Sequence, residues 1–185
     1  MAAYYLISQL PSLDGIQENM PLPITEERFA ELCSRFLKAK EQEKLQKLTL
    51  LPVKTPEVSG SSFIDTWNER ERTLRFALGK VRAEKWNFPF DTEGRNIPAK
   101  YIRAAGTAIE MENPMEAEKF LNRFRLELLE EQRPMDGFAD DYIFYYGLRL
   151  KLLLRIRQFD TEAGEAAYRK IYNSILHKDR LEALS

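Results

Sequence analysis

Histidine and cysteine are almost missing from this chain of 185 residues, which has His177 and Cys33 and no other residue of either type. A single cysteine excludes a disulfide within the chain and makes a reducing compartment the default. A single histidine excludes the di-iron bundle, which needs two Glu-x-x-His motifs, and the zincin helix, which needs two histidines. Glycine is sparse as well. The 8 glycines form neither G-x-G-x-x-G nor G-x-x-x-x-G-K, so no phosphate-cradling loop is written here. Long apolar runs are absent. The best one, Tyr142 to Leu154, is broken by Arg149 and Lys151, and falls short of the ~20 apolar residues that span a bilayer. The opening Met1-Ala-Ala-Tyr-Tyr-Leu-Ile-Ser lacks the basic start and apolar core of a signal peptide. The expectation is a cytoplasmic protein, not integral to a membrane. Neither sign of charge is in excess: 28 bases stand against 29 acids. Domains that hold a phosphate backbone carry a clear basic surplus, so nucleic acid is not an expected partner.

What remains is the composition of an ordinary globular domain, with 44% apolar and 31% charged residues. No segment alternates with period two. The pattern predicts an all-α fold of about six helices in a compact bundle. It reads as a single domain over residues 1–185, with lobes 1–96 and 97–185 as the alternative division.

Several helices are legible from their stripes and caps. The run Tyr4 to Leu10, closed by Pro11, fits a short strand or a turn of helix equally well. Thr25 is a cap candidate for a helix with Phe29, Leu32, Cys33, Phe36 and Leu37 on one side, continuing through the charged Lys38–Lys47 stretch. Ser62 and Asp65 resemble a capping box for a long helix from Phe63 to about Trp86, with Phe63, Trp67, Leu74, Leu78 and Val81 inward and residues 68–73 as its solvated face. Pro98 starts a helix with Ile102, Ala105, Ala108 and Ile109. Asn113-Pro114 starts another with Phe120, Leu121, Phe124, Leu128 and Leu129. Two more helices, Tyr142–Arg157 and Thr161–Leu176, meet at Gln158-Phe-Asp-Thr161.

Two of these helices echo each other. Phe63-Ile64-x-x-Trp67-x-x-Arg70-x-Arg72-x-Leu74 matches Tyr142-Ile143-x-x-Tyr146-x-x-Arg149-x-Lys151-x-Leu153. Phe90-Asp-Thr-Glu-Gly94 and Phe159-Asp-Thr-Glu-Ala-Gly164 follow them at unequal spacing. The match fits a duplicated helical module, and it fits two amphipathic helices of similar composition equally well.

Residues able to do chemistry are few. His177 sits near the end of the last helix, where its cation complements the helix dipole. Cys33 falls on an apolar stripe, as a small hydrophobe does. The acid pairs Glu110/Glu112, Glu116/Glu118 and Glu130/Glu131 lie on helix faces and ends, whereas acid–base catalysis needs a pocket that separates two pKa values. Asp91-Thr-Glu-Gly-Arg-Asn96 lacks the regular ladder of a calcium loop and reads as a turn. The expectation is no enzyme activity, no metal and no cofactor. Charge is segregated instead. Arg70, Arg72, Arg75, Lys80 and Arg82, with Arg149, Lys151, Arg155 and Arg157, are compensated in sequence by an acidic Glu110–Glu131 region. Docking of a partner and pairing between helices both account for that pattern.

The opening Tyr4-Tyr-Leu-Ile-Ser-Gln-Leu-Pro-Ser-Leu13 and the closing Leu150-Lys-Leu-Leu-Leu-Arg-Ile-Arg-Gln-Phe-Asp-Thr-Glu-Ala-Gly164 resemble a family of Bacteroidetes proteins encoded among V/A-type ATP synthase genes. Members of that family are similar to the C-type stalk subunit of those rotary ATPases, whose counterpart in the vacuolar enzyme is the d-type subunit. The resemblance covers both ends, and the middle by helix pattern. It implies an all-helical, non-catalytic subunit that couples the central stalk to the membrane rotor ring during ion transport, including proton transport. Its partners would be the other ATPase subunits, and it would sit at the inner membrane through protein contacts only. A full C-type subunit is much longer, which leaves assembly or regulation as other tasks. A stand-alone helical scaffold or regulatory protein-binding domain is the alternative. The interface candidates are Trp67, Arg70, Arg72, Tyr146, Arg149 and Lys151, because aromatics and Arg dominate binding energy where they are desolvated. For Trp67 and Tyr146, core packing is the competing reading.

Overall fold

The computed structural model describes residues 2–16, 20–51, 58–91 and 94–158, together with Arg169 and Tyr172. Seven helices and no strand occur among the described residues. They are α1 (Ala2–Gln9), α2 (Glu26–Phe36), α3 (Ala39–Gln46), α4 (Ser62–Lys85), α5 (Ala99–Glu110), α6 (Pro114–Glu130) and α7 (Asp140–Gln158). No helix among them is long and apolar enough to cross a membrane. The expected helix over Thr161–Leu176 (Arg169 and Tyr172 apart), the Phe159–Gly164 string and His177 lie outside the described residues.

The short N-terminal run, open between strand and helix, is helical in α1. Its Leu6 is completely buried. Thr25 caps α2 as expected, its hydroxyl accepting from the Arg28 amide at 3.1 Å. The continuous helix expected through Lys47 is broken. Leu37 and Lys38 are extended, and α3 starts afresh at Ala39. The Gln42 side chain then donates to the carbonyls of Ser34 at 3.0 Å and Leu37 at 2.7 Å, so the end of α2 keeps its acceptors satisfied. The Lys38–Lys47 stretch, polar apart from Ala39 and Leu45, carries no stripe that would reveal this break.

The cap of α4 is Ser61, one residue before the expected Ser62. Its hydroxyl accepts from the Ile64 amide at 3.4 Å, while Asp65 reaches back to the Ser59 amide at 2.9 Å. After α4 the chain doubles back along it. Phe90 lies over Gly79, and Arg95 reaches Glu69 at 2.8 Å. Hence α5 runs parallel to α4, and Lys85 at the far end donates to the Ile109 carbonyl at 3.1 Å. The buried alanines 104, 105 and 108 let α5 lie close to Leu74, Ala77 and Leu78. This is the most extensive helix pair.

Asn113 caps α6, its Oδ1 accepting from the Met115 amide at 2.9 Å with Pro114 at the first helical position. Helix α6 runs antiparallel to both α4 and α7, as the Arg125–Glu71 and Arg155–Glu118 pairs show. Helix α7 is the axis of the molecule. Residues 143–148 are buried all the way round, which is how a helix enclosed on every side behaves. Phe144, Tyr145, Leu148 and Leu152 pack against α4 and Leu129. Ile143, Tyr146 and Leu150 pack against α1 and α2 on the opposite side.

Candidate interaction site

The polar side chains of the middle of the bundle are built around α6. Residues 68–73, expected as the solvated face of α4, contain Glu71, which is 2% exposed. Arg125 grips it with Nε to Oε2 at 3.0 Å and Nη2 to Oε1 at 3.1 Å, and Arg75 adds a contact at 3.4 Å. Arg125 also donates to Asn122 Oδ1 at 2.9 Å, and Asn122 is completely buried. Glu118 joins the network, accepting from Arg155 of α7 at 2.8 Å. Polar residues from three helices therefore interlock inside an apolar bundle.

A second cluster lies at the other end of α6. Arg149 contacts Glu130 at 2.7 Å, Asp14 at 2.8 Å and the Tyr145 hydroxyl at 2.6 Å. The Tyr145 hydroxyl donates to Glu130 at 2.6 Å. Burial, helped by that bond to Glu130, raises the Tyr145 phenol above its ordinary value. Burial pushes the Asp14 carboxyl upward, but the bonds and charges of Arg133 and Arg149 outweigh it and leave the group below its ordinary value.

The six interface candidates separate into two groups. Trp67 and Tyr146 are 1% and 3% exposed. Their helical spacing with leucines puts them in the core, so neither ring is available to a partner. Trp67 donates its indole N–H to the Thr49 carbonyl at 3.4 Å, and Tyr146 its hydroxyl to the Pro11 carbonyl at 2.8 Å. Arg70, Arg72, Arg149 and Lys151 are half-buried and engaged inside the molecule. Arg70 meets Glu131 at 3.4 Å and the Leu128 carbonyl, Arg72 meets Glu69 at 3.0 Å, and Lys151 meets Glu26. The segregated charges of the sequence are thus largely pairs between and along helices. The two echoing helices show one shared device: Arg70 of α4 and Arg149 of α7 hold the neighbouring acids Glu131 and Glu130 of α6.

No protein family, curated protein or solved structure matches the chain.

Glu130 and Glu131, with Glu127, line an open groove of about 420 Å³ between α6 and α7, beside Leu126, Leu153 and Ile16. Both are already held by bases, Glu131 by Lys100 at 2.7 Å and Glu130 by Arg149 at 2.7 Å. Cys33 is 2% exposed, and burial pushes its thiol up to about 12. Among the described residues, no group of three His, Cys, Asp or Glu side chains is placed to hold a metal. Gly94 takes φ +69°, and Arg95 stacks over Phe76 at 4.6 Å.

The surface that sequence reasoning missed is aromatic. Trp86 and Phe88 project where α4 ends, and Tyr4, Tyr5 and Phe138 project where α7 begins. The signal for them was positional. Trp86 and Phe88 stand next to a helix end and Pro89, and Phe138 stands between Gly137 and the start of α7, all outside any apolar stripe.

Proposed function

We propose that this chain is a non-catalytic protein-contact subunit. From the resemblance of its two ends to the family similar to the C-type stalk subunit, we read it as a subunit or accessory protein of a V/A-type rotary ATPase, held at the inner membrane by protein partners between the central stalk and the rotor ring. The observation that carries the protein-contact reading is a division of labour. Among the described residues, acids and bases are largely spent on pairs within the bundle, while Tyr4, Tyr5, Trp86, Phe88 and Phe138 stay in water at its ends. Aromatic residues outside the core supply binding energy when a partner desolvates them. The same observation suits a stand-alone scaffold or regulatory domain, which is the second reading.

Affinity purification of the tagged protein from native membranes, followed by mass spectrometry, tests the assignment. Recovery of catalytic, stalk and ring subunits in stable ratio is the expected result. An intact ATPase that never accompanies the protein removes the rotary reading and leaves the scaffold.

A further inference from the structure

Helix α1 carries no charged residue, and its eight residues are too few to be helical without packing. Leu6 supplies that packing from one side. Its outer positions have no structural need to be apolar, yet they hold Tyr4 and Tyr5, which are 52% and 58% exposed. Phe138, in the connection before α7, is 54% exposed. The three rings form one surface. Tyr4 and Phe138 have centroids 4.8 Å apart, and Tyr4 and Tyr5 meet edge to face at 5.9 Å. Scattered exposed aromatics are ordinary, whereas a contiguous patch marks an interaction site.

Two residues beyond Phe138 the surface becomes acidic. Asp140 lines a cavity of about 360 Å³ together with Glu41, Lys44 and Asp141. Lys44, the one base there, donates to the Gly60 carbonyl at 2.6 Å, and Asp141 accepts from Ser61 at 3.0 Å. Asp140 pairs with no base among the described residues, and Glu41 Oε2 is buried without a hydrogen-bond partner. A buried acceptor left unmatched is costly, and a cation entering the cavity would relieve it.

We infer that this end of the bundle docks a basic amphipathic helix of a partner protein. Its apolar side lies on Tyr4, Tyr5 and Phe138, and a Lys or Arg enters the cavity at Asp140 and Glu41. Charge selects this occupant. A second copy docking patch to patch would bring two acidic cavities into one interface without adding a base. Anionic lipid is refused by the same acids. The inference deepens the protein-contact reading and rests on it, but not on the rotary ATPase assignment.

The test is fluorescence anisotropy with two labelled synthetic helical peptides that share one leucine face, the polar positions being Lys in one and Glu in the other. The Lys peptide is expected to bind the full chain at least roughly tenfold tighter than the Glu peptide. Asp140→Asn should weaken it roughly fivefold and Phe138→Ser roughly tenfold, with the thermal midpoint of each variant checked first. If Phe138→Ser does not fold, Tyr5→Ser replaces it. Equal binding of both peptides overturns the inference, as does undiminished binding by the variants. Concentration-dependent dimers that the patch variant abolishes also overturn it and give the surface to a second copy. Co-purification with ATPase subunits is read separately, so either reading can fail alone.

Discussion

Arg125 of α6 closes on Glu71 of α4 through two parallel hydrogen bonds of 3.0 and 3.1 Å, in a place where the glutamate is nearly free of solvent. A bidentate guanidinium–carboxylate pair fixes direction as well as distance. Together with Asn122 Oδ1 and the Glu118–Arg155 pair, it sets how α4, α6 and α7 slide and rotate against each other. Apolar packing alone tolerates such slippage. Joining the three helices this way suits a protein that works as one body.

The network predicts an asymmetry between single and double substitutions. Arg125→Met leaves the Glu71 carboxylate buried without its main partner, and should cost about 3–5 kcal/mol. Glu71→Met combined with Arg125→Met removes both charges and should recover most of that loss. Urea unfolding midpoints of the three proteins check it. A double variant no better than the single would assign the cost to lost packing.

Glu71 also shows where the sequence was legible and where it was not. The caps at Thr25 and Asn113 and the long apolar stripes pointed to all-helical architecture, because caps and periodicity are local. Glu71 follows Trp67 by four residues and precedes Leu74 by three, which places it on the buried stripe. Its charge, and the charges beside it, drew it to the solvated face. The stripe position was the stronger signal, and Arg125, between Leu121 and Leu128, repeats it in the partner helix. The aromatic patch joins α1 to the connection before α7, far apart in the chain, so no local pattern encodes it; the α2–α3 break is bridged by Gln42 on the Ser34 and Leu37 carbonyls, in a stretch without a stripe. Arg149 could be named from sequence, but its contacts with Asp14 and Glu130 come from two other parts of the chain.

Trp67 should behave as core. Trp67→Ala is expected to cost about 3–5 kcal/mol, whereas Arg72→Ala, which breaks a pair to the half-exposed Glu69, should cost about 1 kcal/mol or less. Thermal unfolding followed by far-ultraviolet circular dichroism separates the two. Near-equal losses would contradict the placement of the indole.

Gly147 lies in the most enclosed part of α7. A Cβ there would stand 3.2 Å from the Phe29 ring and 3.3 Å from Leu48 Cδ2, both buried. Alanine gains about 1 kcal/mol of helix propensity, and overpacking a core costs roughly 1–3 kcal/mol. Gly147→Ala should therefore lower stability by about 1 kcal/mol. At Gly79 the Cβ would meet the Phe90 ring at 2.7 Å. That ring is 40% exposed and can swing into solvent, so Gly79→Ala should be close to neutral. Comparing the two unfolding midpoints tests the difference.

Cys33 should be chemically silent in the folded protein. Burial raises its thiol to about 12, and the thiolate is the reactive form. Labelling by a disulfide reagent at neutral pH should then follow unfolding and accelerate with denaturant. Stoichiometric labelling within seconds in native buffer would place the thiol at the surface instead.

The Asp14 carboxyl gives the chain a small acid sensitivity of known sign. Burial raises its pKa, but the Arg133 hydrogen bond and the charges of Arg149 and Arg133 bring it below the ordinary value of 3.8. A carboxyl held lower in the folded than in the unfolded state contributes stability above the unfolded value. That contribution is lost as the pH falls through the folded value. Asp14 is half-exposed in its pairs with Arg133 and Arg149, so solvent and salt screen the gain to at most about 0.5 kcal/mol. Asp14→Asn should lower stability slightly at pH 7 and flatten the decline below about pH 4. Unfolding free energies of both proteins measured from neutral pH downward test this. A variant that loses the same increment at pH 2 as at pH 7 would show that the charge of Asp14 carries none of it.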